Sequence, residues 1–194
     1  MNTREEIIQL TDGIVRRKGF ASFSYADLST IMDIAKPAIH HHFKHKEDLG
    51  LAIIDREIRS LFMSRLKWIK NQIDGAGQIK ELVRIFYKRC QSDHLCLTGA
   101  LAVESELLST KMYYKLKEMC DSIVDTIDRI LQKGLQDGSL RFQGTSKERA
   151  TMVAALLASS LQLSRIMGHH IFETIIDRMI ADLGADFKVA DIKN

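Results

Sequence analysis

The sequence predicts an all-α fold of about nine helices, in which a three-helix head precedes a larger helical body. Only one proline occurs in 194 residues, and proline is the residue that interrupts helices most strongly. Apolar residues recur three and four positions apart along most of the chain, and no segment of any length shows the alternation of a half-buried strand. Helix is therefore almost the only regular structure expected.

Composition indicates a folded protein of the cytoplasm. Its residues are 45% hydrophobic and 27% charged, and the chain is long enough for a well-buried core. It has no stretch of 18 apolar residues and no basic start followed by an apolar run, so neither a membrane span nor a secretory signal is predicted. Cys90, Cys96 and Cys120 lack C-x-x-C spacing, which favours reduced thiols over a disulfide frame or a structural zinc site.

The head begins with a helix predicted over Thr3–Lys18, which Gly19 closes as a C-terminal glycine does. Residues 24–49 then read SYADLSTIMDIAKPAIHHHFKHKEDL, which predicts two short helices joined by a tight turn. Ser24, followed three residues later by an acid, has the spacing of a capping box at the start of the first of them. Asp33 breaks the apolar run where the chain must reverse, as in a helix-turn-helix.

The second of these helices begins near Lys36 and is short. Pro37 falls in its first turn, where a missing N–H costs nothing. Ile39 and Phe43 are expected on the buried side, which leaves Lys36, Ala38, His41 and His42 facing outward. Because two helical turns are not stable alone, we expect neighbouring helices to hold this one for insertion into a DNA major groove.

Positive charge is concentrated around the same helix. Between Lys36 and Lys46 there are three lysines, four histidines and no acidic residue, which is the local charge that binding to a phosphate backbone requires. The whole chain has a formal net charge of only +3. This balance excludes a general polycation and favours a focused basic patch.

The body is predicted to contain the remaining helices. The first spans about Lys46–Ile73 and is ended by Gly75-Ala76-Gly77, and the next three span about Gln78–Asp93, Leu97–Leu108 and Thr110–Gln136. A loop follows at Leu140–Gly144. The last two helices are one that is capped by Thr145 and Glu148 and runs to Met167, and one over His169–Leu183. The two domains are accordingly placed at residues 1–46 and 47–194.

The last two helices are too apolar for helices that lie alone on a surface. Ala154 and Ala158 are small enough to let a neighbouring helix approach, and the final helix carries an apolar stripe wider than one core contact uses. We expect the same pair from a second copy to cover them, unless both helices merely complete the chain's own core. The predicted interface residues are Ala154, Ala158, Leu161, Ile171, Phe172, Ile175, Ile176 and Met179.

This arrangement resembles the TetR family of one-component transcriptional regulators, with specific motifs over about residues 4–50. The family's head usually has a loose I-A-x-x-A-G-V-S-x-G-x-L-Y-x-H-F-x-x-K-E-x-L pattern, matched here by Leu28, Ile34, Ile39, His42, Phe43, Lys46, Glu47 and Leu49. The sequence departs from it at Asp33, Ala35, Pro37 and His40, where glycine, serine or threonine, glycine and tyrosine are usual. The resemblance implies a homodimeric regulator, expected to be a repressor, that binds a palindromic double-stranded DNA operator and is released by a small-molecule effector bound in the C-terminal domain.

Carried over residue by residue, the resemblance assigns Lys36, Ala38 and His41 to base edges or the adjacent backbone. His40, Lys46 and the turn at Ser24 and Tyr25 would contact phosphates. A lysine at the N-terminus of a helix, as Lys46 is predicted to be, acts together with free N–H groups to attract a phosphate. The full predicted DNA-binding set is Ser24, Tyr25, Lys36, Pro37, Ala38, His40, His41 and Lys46.

A ligand cavity is expected among the long helices of the body, because pockets between helices are common and mostly apolar. Its predicted lining comprises some of Phe62, Leu66, Phe86, Cys90, Cys96, Met112, Leu116 and Leu161, although the same residues also suit an ordinary core. The segment Cys96-Leu97-Thr98 is similar to the start of the sixth helix in a subgroup of TetR regulators, some of which sense electrophiles or oxidants through that cysteine. Simple packing of a small apolar side chain is the alternative.

Two other classes of function stay open. One is a metal-dependent enzyme, which the clustered histidines His40, His41, His42 and His45 suggest. Consecutive side chains on a helix point in different directions, however, whereas zinc ligands must converge on the metal. A helical interaction module without DNA binding is the other alternative. We expect no catalysis, no cofactor and no metal, because the sequence has no Gly-rich phosphate loop, no G-x-S-x-G elbow and no obvious acid pair.

Overall fold

The computed structural model describes residues 3–193, which form helices and contain no strand. The nine α-helices of this part of the chain are α1 (Thr3–Lys18), α2 (Tyr25–Met32), α3 (Lys36–His42), α4 (Lys46–Lys70), α5 (Gly75–Gln91), α6 (Leu97–Ala102), α7 (Thr110–Asp137), α8 (Ser146–Met167) and α9 (His170–Asp182). Short 3-10 turns follow α6 at Ser105–Leu107 and α9 at Val189–Ile192. The predicted all-α fold is confirmed.

Two predicted helix boundaries in the body are wrong. Gly75 begins α5 instead of ending α4, because the Asp74 side chain caps the new helix by accepting from the Gly77 N–H at 2.7 Å. α6 has six residues and not twelve. Leu101 is the last buried residue of α6, which ends at Ala102. In the turn that follows, the apolar side chains of Val103 and Leu107 are 81% and 78% exposed.

The chain forms two compact units. The first contains the residues up to Arg59 together with Leu97–Cys120, and the second contains Ser60–Cys96 together with the residues from Asp121 onward. α4 and α7 therefore each contribute to both units. The predicted division after residue 46 does not coincide with these units, and the assignment of separate functions to 1–46 and 47–194 stays a prediction.

In the first unit, α1 packs against α2, α3 and α6. Arg16 of α1 is only 4% exposed, and its guanidinium donates to Asp12 at 2.9 Å and to Glu57 of α4 at 2.8 Å. Burial lowers the pKa of Arg16, but the two carboxylates outweigh burial and raise it. A buried and doubly paired cation thus joins α1 to α4.

The second unit has one continuous apolar core drawn from α5, α7, α8 and α9. Its fully buried members include Ile79, Val83, Ile130, Leu131, Phe172 and Ile176. By length and composition α8 is apolar enough to cross a membrane, as core helices of folded proteins also are. α8 packs here against α9 and α5.

The turn between α2 and α3 is held in a left-handed conformation at Asp33. This residue has φ 53° and ψ 45°, and its N–H donates to the Ser29 carbonyl. The Ser29 hydroxyl in turn donates to the Ile34 carbonyl at 2.6 Å. Side chains with a Cβ are strained in this region, whereas glycine is not.

We therefore expect Asp33→Gly to raise the free energy of unfolding by roughly 1 kcal/mol, since it removes the strain of a Cβ at positive φ. Asp33→Ala keeps the Cβ and loses a side chain that tolerates this region, so it should be slightly destabilising. Urea denaturation of the three proteins measures both effects. Equal stability of the two variants would show that the left-handed turn does not limit stability.

Gly75 and Gly134 let α5 and α7 approach each other closely. A Cβ on Gly75 would overlap the Cα and the amide nitrogen of Gly134, which are backbone atoms that cannot turn aside. In contrast, a Cβ on Gly13 of α1 would meet no atom within 4 Å.

Gly75→Ala should therefore lower the free energy of unfolding by about 1–3 kcal/mol through overpacking. The matched variant Gly13→Ala should raise it by up to about 1 kcal/mol, because alanine is the better helix former. Thermal or urea unfolding distinguishes the two. A stable Gly75→Ala protein would contradict the close approach of the two helices.

Candidate nucleic-acid interface

α2 begins with the predicted capping box. The Ser24 hydroxyl accepts from the Asp27 N–H at 3.3 Å, and the Ser24 N–H donates to the Asp27 carboxylate at 2.7 Å. Hydrogen bonds from the Ser24 side chain and backbone lower the pKa of Asp27. Ser24 is thus committed to fixing the start of α2, and its predicted phosphate contact would have to add to this role.

α3 presents a basic outer surface on an apolar base. Ile39 and the C-cap residue Phe43 are buried. The residues Lys36, Pro37, His40 and His41 are exposed and Ala38 is half-buried. Ala35 makes no side-chain capping bond, and Pro37 lies in the first turn as predicted. No acidic residue occurs in α3, so its solvent side can approach phosphates and base edges without like-charge repulsion.

Tyr25 and His40 support each other at the side of α3. The Tyr25 hydroxyl donates to the Phe43 carbonyl at 3.0 Å, and its ring meets the His40 ring edge-on with centroids 4.8 Å apart. Burial and the nearby Asp48 carboxylate raise the pKa of Tyr25 to about 12. The Tyr25 hydroxyl therefore stays protonated and fixes the end of α3.

Lys46, predicted as a phosphate contact, turns toward the loop between α1 and α2. Its ammonium donates to the Phe23 carbonyl at 2.6 Å and to the Ala21 carbonyl at 3.4 Å. It also lies 4.2 Å from the centroid of the Phe23 ring and 5.0 Å from that of Phe20. Burial lowers the pKa of Lys46. An ammonium has three N–H groups, so a phosphate would compete for the one that these carbonyls leave.

Arg4 is a candidate contact that sequence reasoning missed. It is exposed on α1, and its guanidinium lies 5.1 Å from the centroid of the Phe43 ring, at the C-terminal end of α3. The two residues are far apart in sequence, and only the packing of α1 against α3 brings them together. A basic residue in the first turn of a helix gives no local signal for this position.

The predicted ligand-lining residues do not form one cluster. Phe62 and Leu66 are 55% and 41% exposed and so lie outside the packed core, and their place in a ligand cavity stays a prediction. Met112 and Leu116 are buried in the first compact unit. The remaining four, Phe86, Cys90, Cys96 and Leu161, are buried in the core of the second unit.

The two cysteines of that group are buried in packed surroundings. The Cys90 thiol donates to the Ser164 hydroxyl at 3.5 Å, and burial raises its pKa. Cys96 is also buried, one residue before α6 begins. A reactive thiol needs access and a stabilised thiolate, so the burial of Cys96 agrees better with packing, and its role as a sensor remains untested.

A cleft of about 620 Å³ lies in the first unit and is lined mainly by charged side chains. Its charged residues are Arg4, Asp48, Asp55, Lys111, Lys115 and Glu118. Lys115 bridges Asp55 at 2.9 Å and Glu118 at 2.8 Å, so much of this charge is already paired. None of the residues predicted to bind the ligand lines this cleft.

Half of the predicted dimer interface is occupied by the chain's own core. Leu161, Phe172, Ile176 and Met179 are all buried within the second unit. These four side chains pack in the chain's own core, as the alternative interpretation of the last two helices expects, and their role in a dimer interface stays a prediction. Ala154, Ala158, Ile171 and Ile175 are half-buried and border the exposed surface.

An apolar stripe on α8 was missed. Met152, Leu156, Ser159, Leu163 and Ile166 follow each other four, three, four and three residues apart, on the side of α8 opposite its buried face. Ile166 is 87% exposed. This spacing is the one that helices use to pack lengthwise against a partner helix, and it is readable from the sequence.

The histidines do not form a metal centre. In the first unit, the rings of His41 and His42 lie edge to face with centroids 5.3 Å apart. In the second unit, a ring nitrogen of His169 lies 3.2 Å from the Asp93 carboxylate. Among residues 3–193 no group of three or more His, Cys, Asp and Glu side chains is arranged to hold a metal ion.

Comparison with known proteins gives a consistent result, although no protein-family model matches the chain. In sequence it is 22% identical over 169 residues, 83% of either chain, to the HTH-type transcriptional repressor NemR of Escherichia coli K12. In structure it matches a TetR-family transcriptional regulator from Agrobacterium tumefaciens with a TM-score of 0.85 and 24% identity, over 93% of this chain and 96% of that one. It also matches the reduced form of E. coli NemR with a TM-score of 0.77 and 18% identity, over 94% and 97% of the two chains. The chain thus has the fold of solved TetR-family transcriptional regulators and is similar in sequence to NemR over most of both chains.

Proposed function

We propose that the protein is a DNA-binding transcriptional repressor of the cytoplasm, which binds a palindromic operator as a homodimer and is released by a small-molecule or electrophilic effector. The single observation that carries this proposal is the outer surface of α3. It presents exposed Lys36, His40 and His41 without an acidic residue, on a base of buried Ile39 and Phe43. The relatives are named as regulators and not as enzymes, in agreement with a non-catalytic role.

Selection of genomic fragments by the purified protein tests the proposal and supplies an operator. Fluorescence anisotropy at several salt concentrations then measures affinity and its dependence on salt. A protein that shows no salt-dependent binding to any duplex would contradict the proposal and favour the helical interaction module.

Lys36→Ala removes an exposed cation from the first turn of α3 and should weaken operator binding by roughly tenfold. If the lysine contacts a phosphate, the salt dependence should also become shallower by about one unit of slope. The control is Lys70→Ala, which makes the same charge change at the exposed end of α4. Equal effects of the two substitutions would mean that net charge, and not the α3 surface, determines affinity.

Homodimerisation is proposed through the apolar stripe of α8, with Ala154, Ala158, Ile171 and Ile175 at its border. A packed pair of α8 helices would cover Leu163 and Ile166, which are exposed in the single chain. Two copies would then present two α3 helices to the two halves of a palindrome.

Ile166→Asp should raise the dimer dissociation constant at least tenfold, since it places a charge on the most exposed apolar residue of the proposed contact, and should weaken operator binding with it. Val103→Asp is the control, because Val103 is equally exposed but lies in the other compact unit. Sedimentation velocity measures both. A monomeric wild-type protein, or a fully dimeric Ile166→Asp variant, would exclude α8 as the interface.

Release by an effector is tested on the protein bound to its operator. Metabolites and mild electrophiles are added in turn, and loss of the DNA complex is measured. Any effector must bind the released conformation more tightly than the DNA-bound one, and that difference limits the size of the response.

A further inference from the structure

The loop between α1 and α2, residues 19–24, determines where the helix-turn-helix begins. It leaves α1 at Gly19, which has φ +90°, and ends at Ser24, the N-cap of α2. Two hydrogen bonds hold its first residues: the Gly19 N–H donates to the Val15 carbonyl, and the Ser22 hydroxyl donates to the Gly19 carbonyl at 2.7 Å. The position of the rest of the loop therefore depends on side chains that reach it from elsewhere.

Lys46 holds this loop from one side through its carbonyls. As described above, the ammonium bonds to the Phe23 and Ala21 carbonyls. The loop's N–H groups are not served by a cation, which can only donate.

Glu104 holds the loop through an N–H group. Its carboxylate accepts from the Ala21 N–H at 2.8 Å. The other carboxylate oxygen lies so close to Gly19 that a Cβ at that position would overlap it. Glu104 also acts electrostatically on Lys46, raising its pKa against the effect of burial. A carboxylate and an ammonium thus grip the same loop through its donors and its acceptors.

The position of Glu104 in the chain makes this contact informative. It lies in the turn after α6, between Val103 and the 3-10 turn Ser105–Leu107. Its apolar neighbours Val103 and Leu107 are exposed, whereas Glu104 itself is half-buried. The turn therefore directs its polar side chain inward and leaves apolar ones in solvent, the reverse of the usual preference. α6 packs against α1 within the same unit.

A second hydrogen bond ties the same connection to α4. The Ser109 hydroxyl donates to the Glu47 carboxylate at 2.7 Å, and its oxygen accepts from the Met112 N–H at 3.2 Å as a cap of α7. Residues 103–109 are thus bonded both to the α1–α2 loop and to the first turn of α4.

We propose that Glu104 is a positioning residue for DNA binding, which fixes the α1–α2 loop through the Ala21 N–H and so couples the placement of α2 and Lys46 to the end of α6. This inference rests on the proposed DNA-binding function. It differs from simple electrostatics, which predicts stronger binding when a negative charge is removed and no change when the charge is kept; here a substitution that keeps the charge but shortens the side chain should weaken binding.

Two substitutions separate charge from reach. Glu104→Asp keeps the charge but shortens the side chain by one methylene, so the carboxylate falls short of the Ala21 N–H. Glu104→Gln loses the charge but keeps an oxygen acceptor at the original length. Glu106→Asp and Glu106→Gln are the matched controls, since Glu106 is an exposed acid in the same turn.

The measurements are operator affinity by anisotropy and amide hydrogen exchange at Ala21, with thermal unfolding to verify that each variant is folded. We expect Glu104→Asp to weaken binding by roughly tenfold, the scale of one hydrogen bond to a charged group, and to speed exchange at Ala21. Glu104→Gln should keep the affinity within about twofold of wild type, on the same hydrogen-bond argument, or strengthen it. Both Glu106 variants should behave as wild type.

Wild-type affinity and wild-type Ala21 exchange in Glu104→Asp would overturn the inference, as would equal weakening by Glu106→Asp. Weakening by Glu104→Gln alone would also overturn it, because charge and not reach would then be responsible. If the wild-type protein itself binds no duplex, the proposed function fails and this inference fails with it. If only the variants behave otherwise than expected, the proposed function stands.

Discussion

The seven residues of α3 cannot maintain a helix in water, because a helix this short does not recover the cost of its own nucleation. Its stability comes from Ile39 and Phe43, which are buried where α1 and α2 pack against it. The Tyr25 hydroxyl, bonded to the Phe43 carbonyl, holds the end of the helix in addition. Because these buried contacts stabilise α3, the residues on its exposed side are not needed for folding and are available to contact a partner.

A buried charge joins α1, one of the helices that pack against α3, to α4. Arg16 is almost fully covered, and removal of either carboxylate partner would leave a cation with too little compensation in an apolar surrounding. Buried pairs of this kind add little stability over an apolar packing, but they accept only one geometry. Arg16, Asp12 and Glu57 thus specify how α1 and α4 meet, and α4 begins directly after the basic segment.

Several polar side chains assigned to DNA are used inside the first unit instead. Ser24 caps α2, Tyr25 bonds to Phe43, and Lys46 bonds to the loop between α1 and α2. These residues can still act on DNA by placing others, whereas Lys36 and His41 are left in solvent. In the proposed DNA interface, some side chains thus face the partner and others hold the loop and helix ends, and our inference places Glu104 in the second group.

Local signals in the sequence determined the all-α fold, the bounds of α1, the capping boxes of α2 and α8, and the outward side of α3. These features depend on residues at most four positions apart, so periodicity and capping are sufficient to predict them. The exposure of Phe62, the burial of Phe172 in the chain's own core, and the contact between Glu104 and Ala21 were decided only by the tertiary structure. An apolar residue is buried only if a distant segment covers it, and a carboxylate finds a backbone N–H 83 residues away only when packing brings the two together.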